Sequence, residues 1–571
     1  MILIELIRQL LPDGSDAFGE IQAGDSERSD SGEIECPTWP VDLFAIVGSI
    51  LEVSGCYTLA SPDRMNLPAH QNNLLFIGEC AKDWNASISA VPWAVGQLWD
   101  ALIRTFPSVQ ISEVRDNETL VQLLLMLFAV ADEACVGMGW DVDPKEAPKR
   151  IFASVTFTAL TGATAQVRLP HAPASLCVMV PPDRAVVLPK SITSSVGCTI
   201  RSLSHYLALL PPSSVLQSSW ILSSRKPSAQ ISLAPATIDD IRLLLVPFPF
   251  TIHATSFELS SARQSLGSNH VPAYFTLVQR WLEHGGQPLT GQSLADGLIM
   301  PLIQDCIDET GKPPNGVVLP ECALTSELAG DLVRALAKSG IEFLITGVLD
   351  HKDRKYFNRA RTCAIQEDGS VAIEEQNKHH RWRLDRGQTD RYSLRFDEDA
   401  HNDKWWEDID VSQRRLPFFA LRKDMSLATL ICEDLARTDP AMTAIRAVGP
   451  NLVVALLMDG PQLAVRWPGR YATVLAEDPG SAVLSFTCAA MVDRSNWLEA
   501  KPARSIGLWR DGAGRTQEIG LPANAQGIVL TLQSKPKHQN TLDNRSDNSL
   551  SRQLTLRTVV PLFLASPPAW L

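Results

Sequence analysis

Residues 238–250, IDDIRLLLVPFPF, are apolar almost without interruption, and from there onward short apolar runs alternate with stretches of helical spacing. A near-continuous apolar run of strand length is the pattern of a strand covered on both faces; a half-exposed strand alternates instead. The runs continue as GVVLP (316–320), IEFLITGVL (341–349), SLATLIC (426–432), NLVVALLM (451–458) and SAVLSFTCA (481–489). Between and around them the spacing predicts helices near residues 273–284, 294–310, 326–340, 439–448 and 471–477. Hairpins are expected at Asp368 and Gly369 and around Asp511 and Gly512. Strands alternating with helices point to an α/β layer fold, and the texture places a domain boundary just before residue 240.

The first 239 residues read differently. From about residue 40 to 140 the apolar spacing is helical, most clearly in PWAVGQLWDALIRTF (92–106) and ETLVQLLLMLFAVADEA (118–134), so residues 1–150 are expected to form a mainly helical domain. Within it residues 12–35 are acidic, rich in Ser and Gly and poor in large apolar groups, the composition of a mobile loop. Residues 151–239 carry β-branched runs such as IFASVTFTAL broken by Pro and Ser, and are expected to be a small β-rich or connecting region. Residues 536–571 are expected to be a C-terminal tail, polar and mobile at its start.

A chain of 571 residues exceeds what one core usually holds, so two or three domains are expected. A net charge of −13 argues against coating a nucleic-acid backbone or an anionic membrane. Eleven cysteines, odd in number and never spaced as C-x-x-C, indicate neither a disulfide framework nor a zinc ribbon. The start MILIELIRQLLPDG does not resemble a secretory signal, and the longest apolar run falls short of the ~20 residues that cross a bilayer. A cytoplasmic protein without membrane contact is the resulting expectation.

Three residues stand at strand ends or just past them, where α/β folds place reacting groups. Glu321 ends GVVLPE, Cys432 ends SLATLIC, and Lys378 lies in EEQNKHHRWRLD after the first hairpin. Each has an ordinary reading alone: a carboxylate capping a helix, a small buried hydrophobe, and a solvated lysine. Together, GVVLPE, EEQNKHHRW and LATLICED resemble, in type and order, the catalytic segments of the nitrilase superfamily of carbon–nitrogen hydrolases. The resemblance extends to LLLVPFPF, NLVVALLMDGP and SAVLSFTCAAMVDRSN, and covers about residues 240–535.

The resemblance implies a four-layer αββα sandwich, preceded here by the mixed, largely helical N-terminal region, and commonly paired with a second copy. It implies a Glu321, Lys378, Cys432 triad, in which Cys432 attacks an amide or nitrile carbon, Glu321 moves the proton and Lys378 stabilises the oxyanion. A free thiol with a pKa of about 8.5 is mostly protonated at neutral pH, hence the need for a base or a cation. No metal or organic cofactor is required, and adjacent His379 and His380 lack a third ligand. The second carboxylate that family members often carry after the lysine falls nearest to Asp385; Glu433 and His379 are further candidates for contacts to the substrate. Basic side chains between Lys378 and Arg395 permit an anionic small-molecule substrate. The N-terminal region is expected to bind a protein partner or gate the site. The alternative function is a nitrilase-like sensing or scaffold module of a bacterial antiviral defence assembly.

Overall fold

The structure, a computed structural model, describes residues 1–12, 34–60, 67–86, 90–140, 170–194, 196–212, 215–222, 240–260, 273–366, 368–394, 396, 404–422, 425–497, 499 and 501–571. Most of the acidic 12–35 segment, the IFASVTFTAL run and Arg395 lie outside the described residues.

Two seven-stranded sheets form the larger body. In order across the first sheet run Val371–Asn377, Lys355–Ile365, Phe343–Lys352, Gly316–Val318, Asp240–Leu245, Gly527–Lys537 and Ser551–Leu562. Across the second run Thr516–Gly520, Ser505–Arg510, Ala482–Thr487, Leu452–Leu457, Met425–Ile431, Arg415–Arg422 and Gln217–Leu222. The three central strands of the first sheet are parallel, as are Met425–Ile431, Leu452–Leu457 and Ala482–Thr487 in the second.

Side chains alternate faces along each strand, which explains why these runs are apolar throughout. Leu243, Leu245 and Ile345 of the first sheet share an inner core with Leu427, Leu456 and Leu484 of the second. Leu244 and Val317 point the other way, toward a core shared with the Met300–Thr310 and Ser326–Leu336 helices. Val453, Ala455 and Leu457 likewise face the Ala441–Val448 and Trp467–Glu477 helices. Helix, sheet, sheet and helix stack as four layers.

The N-terminal region is helical, as expected. The Glu118–Glu133 helix starts where the Asn117 side chain accepts from Leu120 N, and packs on the Pro40–Ser54 helix with Phe44 and Phe128 stacked at 4.6 Å. Gly48 permits the approach, since a Cβ there would stand 3.1 Å from Phe128 and Leu209. Residues 177–209 complete this core: buried Asp42 accepts from the backbone N–H groups of Val178, Met179 and Val180 at 3.1, 3.0 and 2.9 Å. The described part of residues 151–239 is therefore divided, with Val186–Pro189 and Leu207–Leu210 paired beside the helices and Gln217–Leu222 serving as an edge strand of the second sheet.

Two expectations are corrected. Residues 273–284, expected as a helix, form the Ala273–Leu277 strand, a 3-10 turn at Arg280–Leu282 and the strand Glu283–His284. Phe275, Thr276 and Leu277 are all buried, and the first strand pairs with Phe257–Leu259 and Lys404–Glu407, so sheet contacts override an ambiguous pattern. The expected C-terminal tail contains the twelve-residue edge strand Ser551–Leu562, antiparallel to Gly527–Lys537. Among the described residues no helix is long and apolar enough to cross a membrane.

Candidate active site

Parallel strands deliver two of the three singled-out residues. Glu321 lies three residues past the end of Gly316–Val318, and its turn presses against the neighbouring strand: Gly347 N donates to Pro320 O at 3.0 Å. A Cβ at Gly347 would lie 2.5 Å from Glu321 Cα, Cys322 N and Pro320 O, so only glycine admits this approach. Cys432 follows Met425–Ile431 and opens a 3-10 turn with φ of 45°. A left-handed cysteine holds strain of order 1 kcal/mol or more, which the buried strands on either side impose. Lys378 follows Val371–Asn377, and its N donates to Asn358 O at 2.8 Å.

The ends of these elements meet in the interior. Lys378, Glu321 and Cys432 are 0, 2 and 4% exposed. The Lys378 ammonium donates to Glu321 Oε1 at 2.8 Å and to Glu407 Oε2 at 2.7 Å. Asn358 Nδ2 bridges the same carboxylates, donating to Oε1 of Glu321 at 2.8 Å and Oε1 of Glu407 at 2.9 Å. Trp382 N supplies a further donor to Glu407 Oε2 at 2.9 Å. Oε2 of Glu321 is buried and has no hydrogen-bond partner among the described residues.

A second carboxylate ties the lysine segment to the cysteine turn. Asp434, two residues past Cys432, accepts from His379 N at 3.0 Å, from His380 N at 3.0 Å and from His380 Nδ1 at 3.1 Å. His379 Nε2 donates to the Arg415 carbonyl at 3.0 Å. Lys378 and Cys432 are thus positioned by one buried anion whose charge is spread over main-chain donors.

The electrostatics follow from enclosure. Burial pushes the Cys432 thiol well up, the Glu321 carboxylate adds to the rise, and the Lys378 ammonium opposes it. Burial also raises Glu321, against the lowering by Lys378 and with reinforcement from Glu407. Burial alone depresses an ammonium, yet Glu321 and Glu407 together hold Lys378 well above its ordinary value. Lys378 therefore stays a cation, while Glu321 is a carboxylate of raised proton affinity. The cysteine lies within the electrostatic reach of both.

The remaining candidates are placed elsewhere. Asp385, expected as the second carboxylate, is exposed and caps the Arg386–Arg391 helix by accepting from Gln388 N at 2.9 Å. Its short side chain and the capping geometry hold it on the surface, and Glu407 occupies the second position on the lysine. Glu433 pairs with Arg437 at 2.8 Å one helical turn on, outside the cluster. His379 is buried beside the cluster and engaged through its ring with Arg415 and through its N–H with Asp434. Glu407, Asn358 and Asp434 were not singled out as site residues; only Asp434 carried a signal, its position immediately after the Cys–Glu pair.

Among the described residues one trio, Asp132, Glu133 and His205, is close enough to hold a metal ion, but Arg545 Nη1 already donates to Asp132 at 2.9 Å and Glu133 at 2.8 Å. The cleft lined by Cys80, Asp83, Val91, Pro92 and Trp93 belongs to the helical region and shares no residue with the Lys378 cluster.

No family model and no curated protein matches the chain. Solved structures similar to about half of it include members of the nitrilase superfamily and glutamine-dependent NAD+ synthetases. Nit3 of Saccharomyces cerevisiae, of branch 10 of the nitrilase superfamily, is 15% identical over 49% of this chain and 86% of its own, with a TM-score of 0.28. XC1258 of Xanthomonas campestris, a CN-hydrolase superfamily protein, is 13% identical over 56% of this chain and 91% of its own, with a TM-score of 0.26. The glutamine-dependent NAD+ synthetase of Cytophaga hutchinsonii is 10% identical over 51% of this chain and 43% of its own, with a TM-score of 0.26.

Proposed function

We propose that the two-sheet body is a cysteine-dependent hydrolase of a non-peptide carbon–nitrogen bond, with Glu321, Lys378 and Cys432 as its reacting groups. The observation that carries this reading is a fully enclosed ammonium held 2.8 Å from Glu321, whose other carboxylate oxygen has no partner among the described residues. A purely structural ion pair gains nothing from that vacancy, whereas a general base needs it.

On this reading the Cys432 proton passes to Glu321 Oε2 as the sulfur attacks the electrophilic carbon. For an amide, the oxygen becomes an oxyanion stabilised by the Lys378 ammonium and the backbone N–H following Cys432. The carbon–nitrogen bond then breaks, Glu321 gives its proton to the departing amine, and a thioester remains. Water adds to the thioester with Glu321 again as base, releasing the carboxylic acid and restoring the thiol.

Residues 1–135 and 170–210 are assigned a gating or partner-binding part, because the Leu207–Leu210 strand packs against the Ala441–Val448 helix on the outer side of the second sheet. The test is ammonia release from a panel of amides, nitriles and carbamoyl compounds, with Cys432→Ala as control. Release that survives the substitution, or no faster alkylation of Cys432 than of the other ten cysteines, overturns the reading.

A further inference from the structure

Asn358 takes no part in the bond changes above, yet its side chain touches both carboxylates that flank Lys378. It sits in the Lys355–Ile365 strand, 1% exposed, opposite Leu349. Its two amide N–H groups go to Glu321 Oε1 and Glu407 Oε1, while its own Oδ1 is buried without a partner among the described residues. The reverse orientation would set an amide oxygen against two carboxylate oxygens, so the carboxylates dictate which way the amide faces. A buried acceptor is left unsatisfied in exchange, which a residue present only to fill space has no reason to tolerate.

The consequence falls on Glu321. Its two oxygens are chemically equivalent in water, but here Lys378 and Asn358 both end on Oε1 and neither reaches Oε2. A proton arriving at Oε2 breaks no existing bond; one arriving at Oε1 must displace two donors. We propose that Asn358 is a positioning residue that fixes which oxygen of Glu321 carries the proton, and so keeps Oε2 as the basic oxygen. The inference rests on the reading of Cys432 as nucleophile and Glu321 as base. In the step concerned the S–H bond breaks, its electron pair stays on sulfur, and the new O–H bond forms at Oε2, leaving Glu321 a neutral acid.

The substitution Asn358→Asp keeps the size of the side chain and makes its donor conditional on pH. Protonated, the introduced carboxyl can still donate to one of its neighbours; ionised, it has no donor and adds a third negative charge beside Glu321. The experiment follows alkylation of Cys432 by iodoacetamide in the full chain from about pH 5.5 to 9, the range in which thiols and raised carboxyls titrate. Rates are read by peptide mass spectrometry and restricted to protein shown folded by circular dichroism. The ratio of the Asn358→Asp rate to the wild-type rate is expected to fall about tenfold or more across that range, the change that one unit of pKa carries. Because the added charge alone lowers the ratio, the neutral Asn358→Ser must also shift the alkylation midpoint; a packing role alone leaves that midpoint unmoved.

A reactive wild-type Cys432 with a flat ratio overturns the role of Asn358 and spares the hydrolase reading. A wild-type Cys432 no more reactive than the other cysteines overturns both. Should Asn358→Asp fail to fold, Asn358→Ser, which keeps one donor, decides: the midpoint of its alkylation profile is expected to move by about one unit from wild type, and an unmoved midpoint overturns the proposal.

Discussion

Lys378 and Arg545 are both enclosed among carboxylates drawn from distant parts of the chain, at 0 and 4% exposure. Around Arg545 each guanidinium nitrogen is engaged: Nη1 by Asp132 and Glu133 and Nε by Asp543, at 2.8 to 2.9 Å, and Nη2 by the Leu203 carbonyl. Both oxygens of Asp132 are occupied, Oδ1 by the N–H groups of Tyr206 and Leu207 and Oδ2 by His205 N and Arg545. Around Lys378 the pairs are equally short, but Glu321 Oε2 and Asn358 Oδ1 have no partner among the described residues. A planar guanidinium with a fixed fork suits a saturated clasp, and a compact ammonium suits a site where charge is to be presented to something else. The Arg545 clasp holds the helical region to the C-terminal loop; on the proposed reading, the Lys378 cluster is the one that reacts.

The largest effect that tests this contrast is catalytic. Glu321→Gln preserves shape and one acceptor but removes the base, and is expected to slow ammonia release on the order of 10²–10⁴-fold. An activity within a few-fold of wild type would mean that the vacant oxygen has no chemical use.

Next in size is the clasp itself. Arg545→Ala leaves Asp132, Glu133 and Asp543 without their cation, and breaking a buried pair from one side costs about 3–5 kcal/mol. Chemical denaturation should show that loss, with Cys432 alkylation in the still-folded fraction unchanged. A loss of Cys432 reactivity in folded protein would merge the two clusters into one functional unit and end the comparison.

Asp434 offers a smaller and sharper test of positioning. Asp434→Asn retains an acceptor for His379 N or His380 N but loses the charge that gathers the lysine and cysteine segments. A destabilisation of about 1–3 kcal/mol, the range for a charge-assisted hydrogen bond, is expected together with slower Cys432 alkylation. Destabilisation without any change in alkylation would make Asp434 a structural pin only.

How much of this was legible depended on whether a residue's surroundings are written next to it. Glu321 and Cys432 ended apolar runs, and Lys378 followed a hairpin, so each could be placed relative to a sheet. Glu407 and Asn358 stand within KWWE and FNRAR, where a polar residue in a strand reads as outward-facing; what turns them inward is their contact with Lys378 and Glu321, far from both in the chain. Asp385 drew the assignment that Glu407 fills because nearness in sequence stood in for nearness in space. Residues 273–284 carry apolar side chains that fit either period, and the sheet partner that decides between them is more than 120 residues away in Lys404–Glu407. The final strand shows its alternation in Leu554 and Leu556, hidden behind the polar loop that Arg545 ties down.

The smallest effect is on the pH dependence of stability, and its sign distinguishes the two cations once more. Glu321 has a raised value in the folded chain because burial and Glu407 outweigh Lys378, so the folded state keeps a proton that the unfolded chain has released. Stability from this group is fully present below the ordinary glutamate value and declines as pH rises toward the folded value, where the loss levels off. Glu321→Gln cannot release that proton, so its melting temperature should gain on wild type as pH rises through the window and run parallel above it. Arg545 is pushed upward, out of the accessible range, by the carboxylates around it. Arg545→Ala should therefore lose the same amount at pH 6 as at pH 8. Parallel curves for Glu321→Gln at every pH would mean that the Lys378 cluster holds its charges as fixedly as the clasp does.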